Sequence, residues 1–164
     1  QQDLTLREFL KHDMELLQLD KNDNSHHKIS NAVEQFNNLI RLLHDRELPT
    51  DIAEKINGDI TALNSSPFLG RSFLHLLKKK QNKIITLLEK ELKLVPKNYY
   101  RNLWMILGMS AFGLPLGVAF GLSLGNIGLL AIGLPIGMAI GLVGGSQLDK
   151  KAMANGKQLD IELK

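Results

Sequence analysis

Apolar residues recur at helical spacing in four stretches of the first 95 residues, and beyond residue 101 the polar positions almost disappear. Leu6, Phe9, Leu10, Met14 and Leu17 follow Thr5 and Glu8, a capping-box pair that predicts a first helix. After the polar run 20–25, Ile29, Val33, Phe36, Ile40 and Leu43 alternate four and three apart. They predict a second helix over about 26–44 with a seam able to interlock with a neighbour. Leu48, Pro49 and Thr50 interrupt it, and Asp51 with Glu54 opens a shorter third helix lined by Ile52, Ile56, Ile60 and Leu63. Ser66 and Pro67 read as the cap and first position of a fourth helix reaching to Val95, with Phe73, Leu76, Leu77, Ile84, Leu87, Leu88 and Leu92 apolar and a break at Pro96.

From residue 102 to 148 there is no Asp, Glu, Lys, Arg or His. A helix needs about 20 apolar residues to cross a bilayer, so this run holds two crossings. Its most turn-like point is Gly125-Asn126-Ile127-Gly128, which predicts membrane helices over 103–124 and 129–146 with a tip at 125–128. The expected architecture is all-α: a helical bundle over 1–95, an interface segment over 96–102, a two-helix transmembrane hairpin with an internal repeat, and a tail over 147–164. Tyr99, Tyr100 and Trp104 cluster where aromatic rings settle at headgroup level. Two crossings put both termini on one side. Basic residues flank the outer ends of the run and the tip is uncharged, so bundle and tail are expected in the cytoplasm. Residues 1–19 mix charges with their leucines, so the uncharged run is expected to serve as its own targeting signal.

The two spans repeat one another. Residues 111–126 read AFGLPLGVAFGLSLGN and residues 131–146 read AIGLPIGMAIGLVGGS, identical at 9 of 16 positions. Glycines fall four apart in both: Gly113, Gly117, Gly121, Gly125, and Gly133, Gly137, Gly141, Gly145. Small residues let helix backbones approach in lipid, where close packing must replace the hydrophobic drive, so these glycines are read as helix-packing positions. Ala111, Pro115, Ala119 and Ser123 form a second column, as do Ala131, Pro135 and Ala139. Two residues on a helix span about 200°, so the second stripe lies nearly opposite the first, and Ala111, Ala119, Ala131 and Ala139 join the packing set. A helix narrow on both sides suits a position between two neighbours, which a closed ring of identical hairpins supplies. Pro115 and Pro135 are candidate hinges. The glycine columns resemble the glycine-zipper class of bacterial membrane proteins, named for GxxxGxxxG repeats. That resemblance implies tight homo-oligomerisation, often into channels or pores, and a bacterial inner (plasma) membrane as the location.

Net charge is +3, but its distribution is uneven: −5 over residues 1–65, +7 over 66–101 and +1 over 149–164. A basic block abutting the apolar run points to anionic lipid, with Lys78, Lys79, Lys80, Lys83, Lys97, Arg101, Tyr99, Tyr100 and Trp104 as headgroup candidates, and away from nucleic acid. There is no cysteine, and no nucleophile–base pair or phosphate loop. Asp20, Asn22 and Asn24 start like a calcium loop but meet Ser25 and Asn31 where glycine and glutamate belong. Catalysis, metals and cofactors are therefore not expected. The expected function is a homo-oligomeric channel or pore, gated or assembled by the cytoplasmic bundle, with Ser110, Ser123 and Asn126 as the polar groups available to a pore. The alternatives are a membrane-anchored scaffold recruiting a cytoplasmic protein, and a membrane-disrupting effector.

Overall fold

The structure, a computed structural model, describes residues 16–19, 27–46, 48–126, 128 and 130–163. They fall into two compact units divided between Leu92 and Lys93. Most of the first predicted helix lies outside the described residues. Its Leu17 is part of a non-helical stretch, residues 16–19.

The first unit is built on three helices: α1 (His27–His44), α2 (Thr50–Asn64) and α3 (Gly70–Leu92), with α3 packed against both others. The apolar seams of α1 and α2 are buried as their spacing requires: Ile29, Val33, Phe36, Ile40 and Leu43 on one, Ile52, Ile56, Ile60 and Leu63 on the other. Phe73, Leu77, Ile84 and Leu88 complete the core from α3. The predicted start of α3 is corrected by three residues. Ser66 accepts the Phe68 N–H through Oγ (3.2 Å), but the helix begins at Gly70, whose φ of 58° breaks continuity with Pro67. Its end is corrected too, because Lys93 turns left-handed (φ 59°) directly after Leu92.

Burial of Asp59 on α2 would by itself raise its pKa, but the hydrogen bonds and charges of Lys80 (2.7 Å) and Lys83 (3.0 Å) outweigh it and hold the carboxyl below its ordinary value. The four lysines read as headgroup candidates, Lys78, Lys79, Lys80 and Lys83, thus have different surroundings. Lys80 and Lys83 ion-pair with α2, while Lys78 and Lys79 are exposed.

The second unit is a helical hairpin closed at its open end. β1 (Val95–Pro96) leads into α4 (Tyr99–Gly108), a π-helical turn (Met109–Gly113) and α5 (Leu114–Ser123). The chain reverses and returns through α6 (Leu130–Ala154) to β2 (Gln158–Leu159), which pairs with β1 in parallel. The helices Tyr99–Ser123 and Ala131–Ala154 are each long and apolar enough to cross a membrane. As helices they run past the outer limits of the predicted spans, from Tyr99 rather than 103 and to Ala154 rather than 146, and at the tip they stop just inside them, at Ser123 and Ala131.

Gly156 (φ 65°) ends α6 in a Schellman motif, Lys157 N–H to Ala152 carbonyl (2.8 Å) and Gly156 N–H to Met153 carbonyl (3.0 Å). The predicted tail is thus a folded return. Val95 N–H donates to the Lys157 carbonyl (3.0 Å) and Lys97 N–H to the Ile161 carbonyl (2.9 Å). Pro96 lies between these donors, where a missing N–H interrupts nothing. Lys97 also ion-pairs with Asp160.

Candidate functional site

The seam of the hairpin is made of backbone. A Cβ placed on Gly113 would stand 3.0 Å from the Gly133 carbonyl oxygen, and one on Gly137 2.5 Å from the Gly113 nitrogen. A Cβ on Gly133 would come 2.6 Å from Gly117 Cα, one on Gly141 2.9 Å from Met105 Cα, and one on Gly145 2.6 Å from Arg101 Cα. Side chains cannot rotate out of such contacts because the opposing atoms belong to the main chain. Gly117 and Gly121 are buried on the same face. The two glycine columns therefore face one another within a single chain.

Gly125 does not belong to its column, which corrects the prediction. It is exposed with φ 64°, nothing lies within 4 Å of its Cβ position, and it ends α5. Asn126 N–H donates to the Gly121 carbonyl (3.0 Å) and Gly125 N–H to the Leu122 carbonyl (3.4 Å), a second Schellman stop.

Its place in the seam is taken from the other end by Gly108, which sequence reading missed. A Cβ there would lie 2.9 Å from Gly141 Cα. Gly108 is five residues before Gly113, so regular α geometry would rotate it off the face. The π turn between them restores it: Leu114 N–H reaches back five residues to the Met109 carbonyl, which adds one residue to the turn. Pro115 follows directly. Its ring crowds the carbonyl four residues back and supplies no N–H, so a widened turn ahead of it relieves the conflict. The matching Pro135 sits inside α6, which stays continuous, so the two copies of the repeat differ in conformation.

Asp149 is the second residue that the sequence reading missed. It continues the α6 column one turn past Gly145, at the level where the opposite helix ends. Its buried carboxylate accepts the Tyr100 N–H (3.0 Å) and the Arg101 N–H (2.9 Å). Asn98, with φ 61°, makes no side-chain cap, so Asp149 satisfies the open end of α4 from across the seam. The available signal was its spacing, four residues after the last column glycine.

The outer faces are different. Ala111, Pro115, Ala119 and Ser123, and likewise Ala131, Pro135 and Ala139, are all exposed. Ser110 donates its hydroxyl to the Ile106 and Leu107 carbonyls (3.0 and 3.2 Å), and Asn126 Oδ1 accepts the Gly128 N–H (2.9 Å), so both serve their own backbone. Tyr99 and Tyr100 meet edge to face at 5.3 Å, and Trp104 is partly exposed beside Gly144. Among the described residues no group of three or more His, Cys, Asp or Glu side chains is placed to hold a metal ion. No protein-family model, no curated protein and no solved structure matches this chain.

Proposed function

We propose that the chain is a homo-oligomeric integral membrane protein whose hairpins stand side by side in a ring and form the wall of a channel or pore. The helical unit of residues 1–92 would lie in the cytoplasm and assemble or gate it. The observation that carries this reading is the division of small residues between two faces. Apart from Gly125, the glycine columns are used up inside the hairpin, while the alanine–proline stripes remain exposed on both helices. In lipid, a second narrow face allows a neighbouring backbone to approach and is of no use to an isolated hairpin. The basic residues outside the ion pairs, Lys78, Lys79 and Arg101 among them, suit anionic headgroups.

The test separates assembly from folding. Ala119→Leu and Ala139→Leu widen the outer stripes and leave the seam intact. Purified wild type should run as an oligomer by mass in detergent and give discrete conductance in planar bilayers. Both variants should lose the oligomer and the current while keeping a folded hairpin. A monomeric wild type overturns the proposal. The self-satisfied Ser110 and Asn126 favour a second reading, an oligomeric scaffold with a dry wall, for which an intact oligomer in silent bilayers is the signature.

A further inference from the structure

The loop before α3 presents two large apolar side chains to solvent. Phe68 and Leu69 are 51% and 67% exposed, the highest values among the large apolar residues described in the first unit. Their backbone is tied down. Phe68 N–H donates to Ser66 Oγ (3.2 Å), the Leu69 carbonyl accepts the Phe73 N–H (3.5 Å), and Gly70 with φ 58° turns the chain into the helix. Single apolar residues on a surface are ordinary, but an adjacent pair rimmed by one kind of charge marks a contact. Arg71, His75, Lys78 and Asn82 follow four, three and four apart on α3, turned away from the buried Phe73, Leu77 and Ile84, with Lys79 beside them. All five are exposed. No Asp or Glu occurs from Ser66 to Leu88. Lys80 and Lys83 are committed to Asp59, whereas Arg71, Lys78 and Lys79 have no ion pair among the described residues.

We propose that the N-terminal part of α3 and the loop before it form a second membrane contact, separate from the hairpin: Phe68 and Leu69 enter the headgroup layer of an anionic bilayer, and Arg71, Lys78 and Lys79 bind its phosphates. This rests on the membrane placement of the chain and not on its oligomeric state. Charge selects the occupant. The stretch 66–88 carries cations only, while residues 1–65 sum to −5, so an anionic surface is drawn to this side of the unit and away from the rest. Area selects it too. The exposed parts of Phe68 and Leu69 offer on the order of 200 Å², well below the roughly 800 Å² per partner of a stable protein interface. A lipid surface needs less, because an aromatic and a leucine beside lysines are the usual means of interfacial anchoring. The hairpin in the same chain keeps the bilayer at high effective concentration, so a contact this small suffices. Engagement of the helical unit with the membrane then depends on the anionic lipid content.

The test uses the absence of native cysteine. The full chain carrying Ser72→Cys is labelled with a small fluorophore and reconstituted in vesicles of equal parts phosphatidylcholine and phosphatidylglycerol that contain a headgroup-level nitroxide lipid. Thr61→Cys on α2 is the control, and both positions are exposed. The label at 72 should be quenched about threefold more strongly than the label at 61. Quenching should fall to the control level in phosphatidylcholine alone, in Phe68→Ser with Leu69→Ser, and in Arg71→Gln with Lys78→Gln and Lys79→Gln. All five side chains are exposed, so the variants keep the fold. Quenching at 72 no stronger than at 61, or unchanged by both sets of substitutions, overturns the contact. A label at 72 shielded from aqueous iodide yet untouched by the nitroxide lipid assigns the face to protein, whether residues 1–15 or a second copy, and also overturns it. In these outcomes the chain resists carbonate extraction. A chain that carbonate releases from the vesicles overturns the membrane reading, and this proposal with it.

Discussion

Adding one methyl group to Gly141 is the sharpest trial of the backbone seam, because Gly144, three residues away, provides a matched control. On Gly141 a Cβ would sit 2.7 Å from the Trp104 carbonyl carbon and 2.9 Å from Met105 Cα, whereas on Gly144 the nearest atom is Trp104 Cε3 at 3.7 Å. Ordinary contact begins at 3.4 Å and the Trp104 carbonyl oxygen is nearer still than its carbon, so Gly141→Ala must part the helices locally by at least about 0.7 Å (3.4 less 2.7). A gap of about 0.5–1 Å forfeits roughly a quarter to a half of the dispersion well along the contact. Overpacking against atoms that cannot rotate away sits at the upper end of the usual range of about 1–3 kcal/mol. Both substitutions gain about 1 kcal/mol of helix propensity, so the difference between them isolates the seam. Gly141→Ala should therefore be about 3 kcal/mol less stable than Gly144→Ala, a factor of more than ~100 in the folded-to-unfolded ratio. The assay is a denaturing-detergent titration in mixed micelles followed by fluorescence of Trp104, the sole tryptophan, which lies at the contact. Equal stabilities, within about 0.5 kcal/mol, would refute the reasoning.

Three further outcomes are expected. Asp149→Ala removes the acceptor of two helix-terminal N–H groups and should cost about 1–2 kcal/mol, with Asp149→Asn costing less; faster amide exchange at Tyr100 and Arg101 is the local readout. Because the Asp59 pKa is depressed by Lys80 and Lys83, its stabilising contribution is present above the unfolded value of about 3.9 and is lost as pH falls through the lower folded value. The full chain should then show an acid transition in helical circular dichroism that Asp59→Asn flattens, and coincident profiles would refute the ion-pair role. Gly125→Ala should cost only the left-handed conformation, about 1–2 kcal/mol, without separating the helices, so its effect on Trp104 fluorescence should be much smaller than that of Gly141→Ala.

Much of the first unit was legible because it depends on local periodicity. The spacing of Ile29, Val33, Phe36, Ile40 and Leu43 dictates which side of α1 is buried whatever it meets. The polar anchors were not legible. Asn37, Asn57 and Asn64 lie on surface-like positions of their helices, and only their hydrogen bonds to the main chain of residues 17–19, a segment 18 to 46 residues distant, give them a purpose. Asp59 was equally opaque, since its lysine partners are on another helix.

The sequence by itself determined that two uncharged helices with four-residue columns of glycine would exist, since composition sets length and spacing sets the face. Tertiary structure decided which residues share the seam. It added Gly108 through a widened turn before Pro115, released Gly125 to end a helix, and set Asp149 against the end of α4. It also folded the tail back onto β1. Each of these depends on the register between two antiparallel rods, which is fixed where their backbones touch and is not encoded in the period of either one.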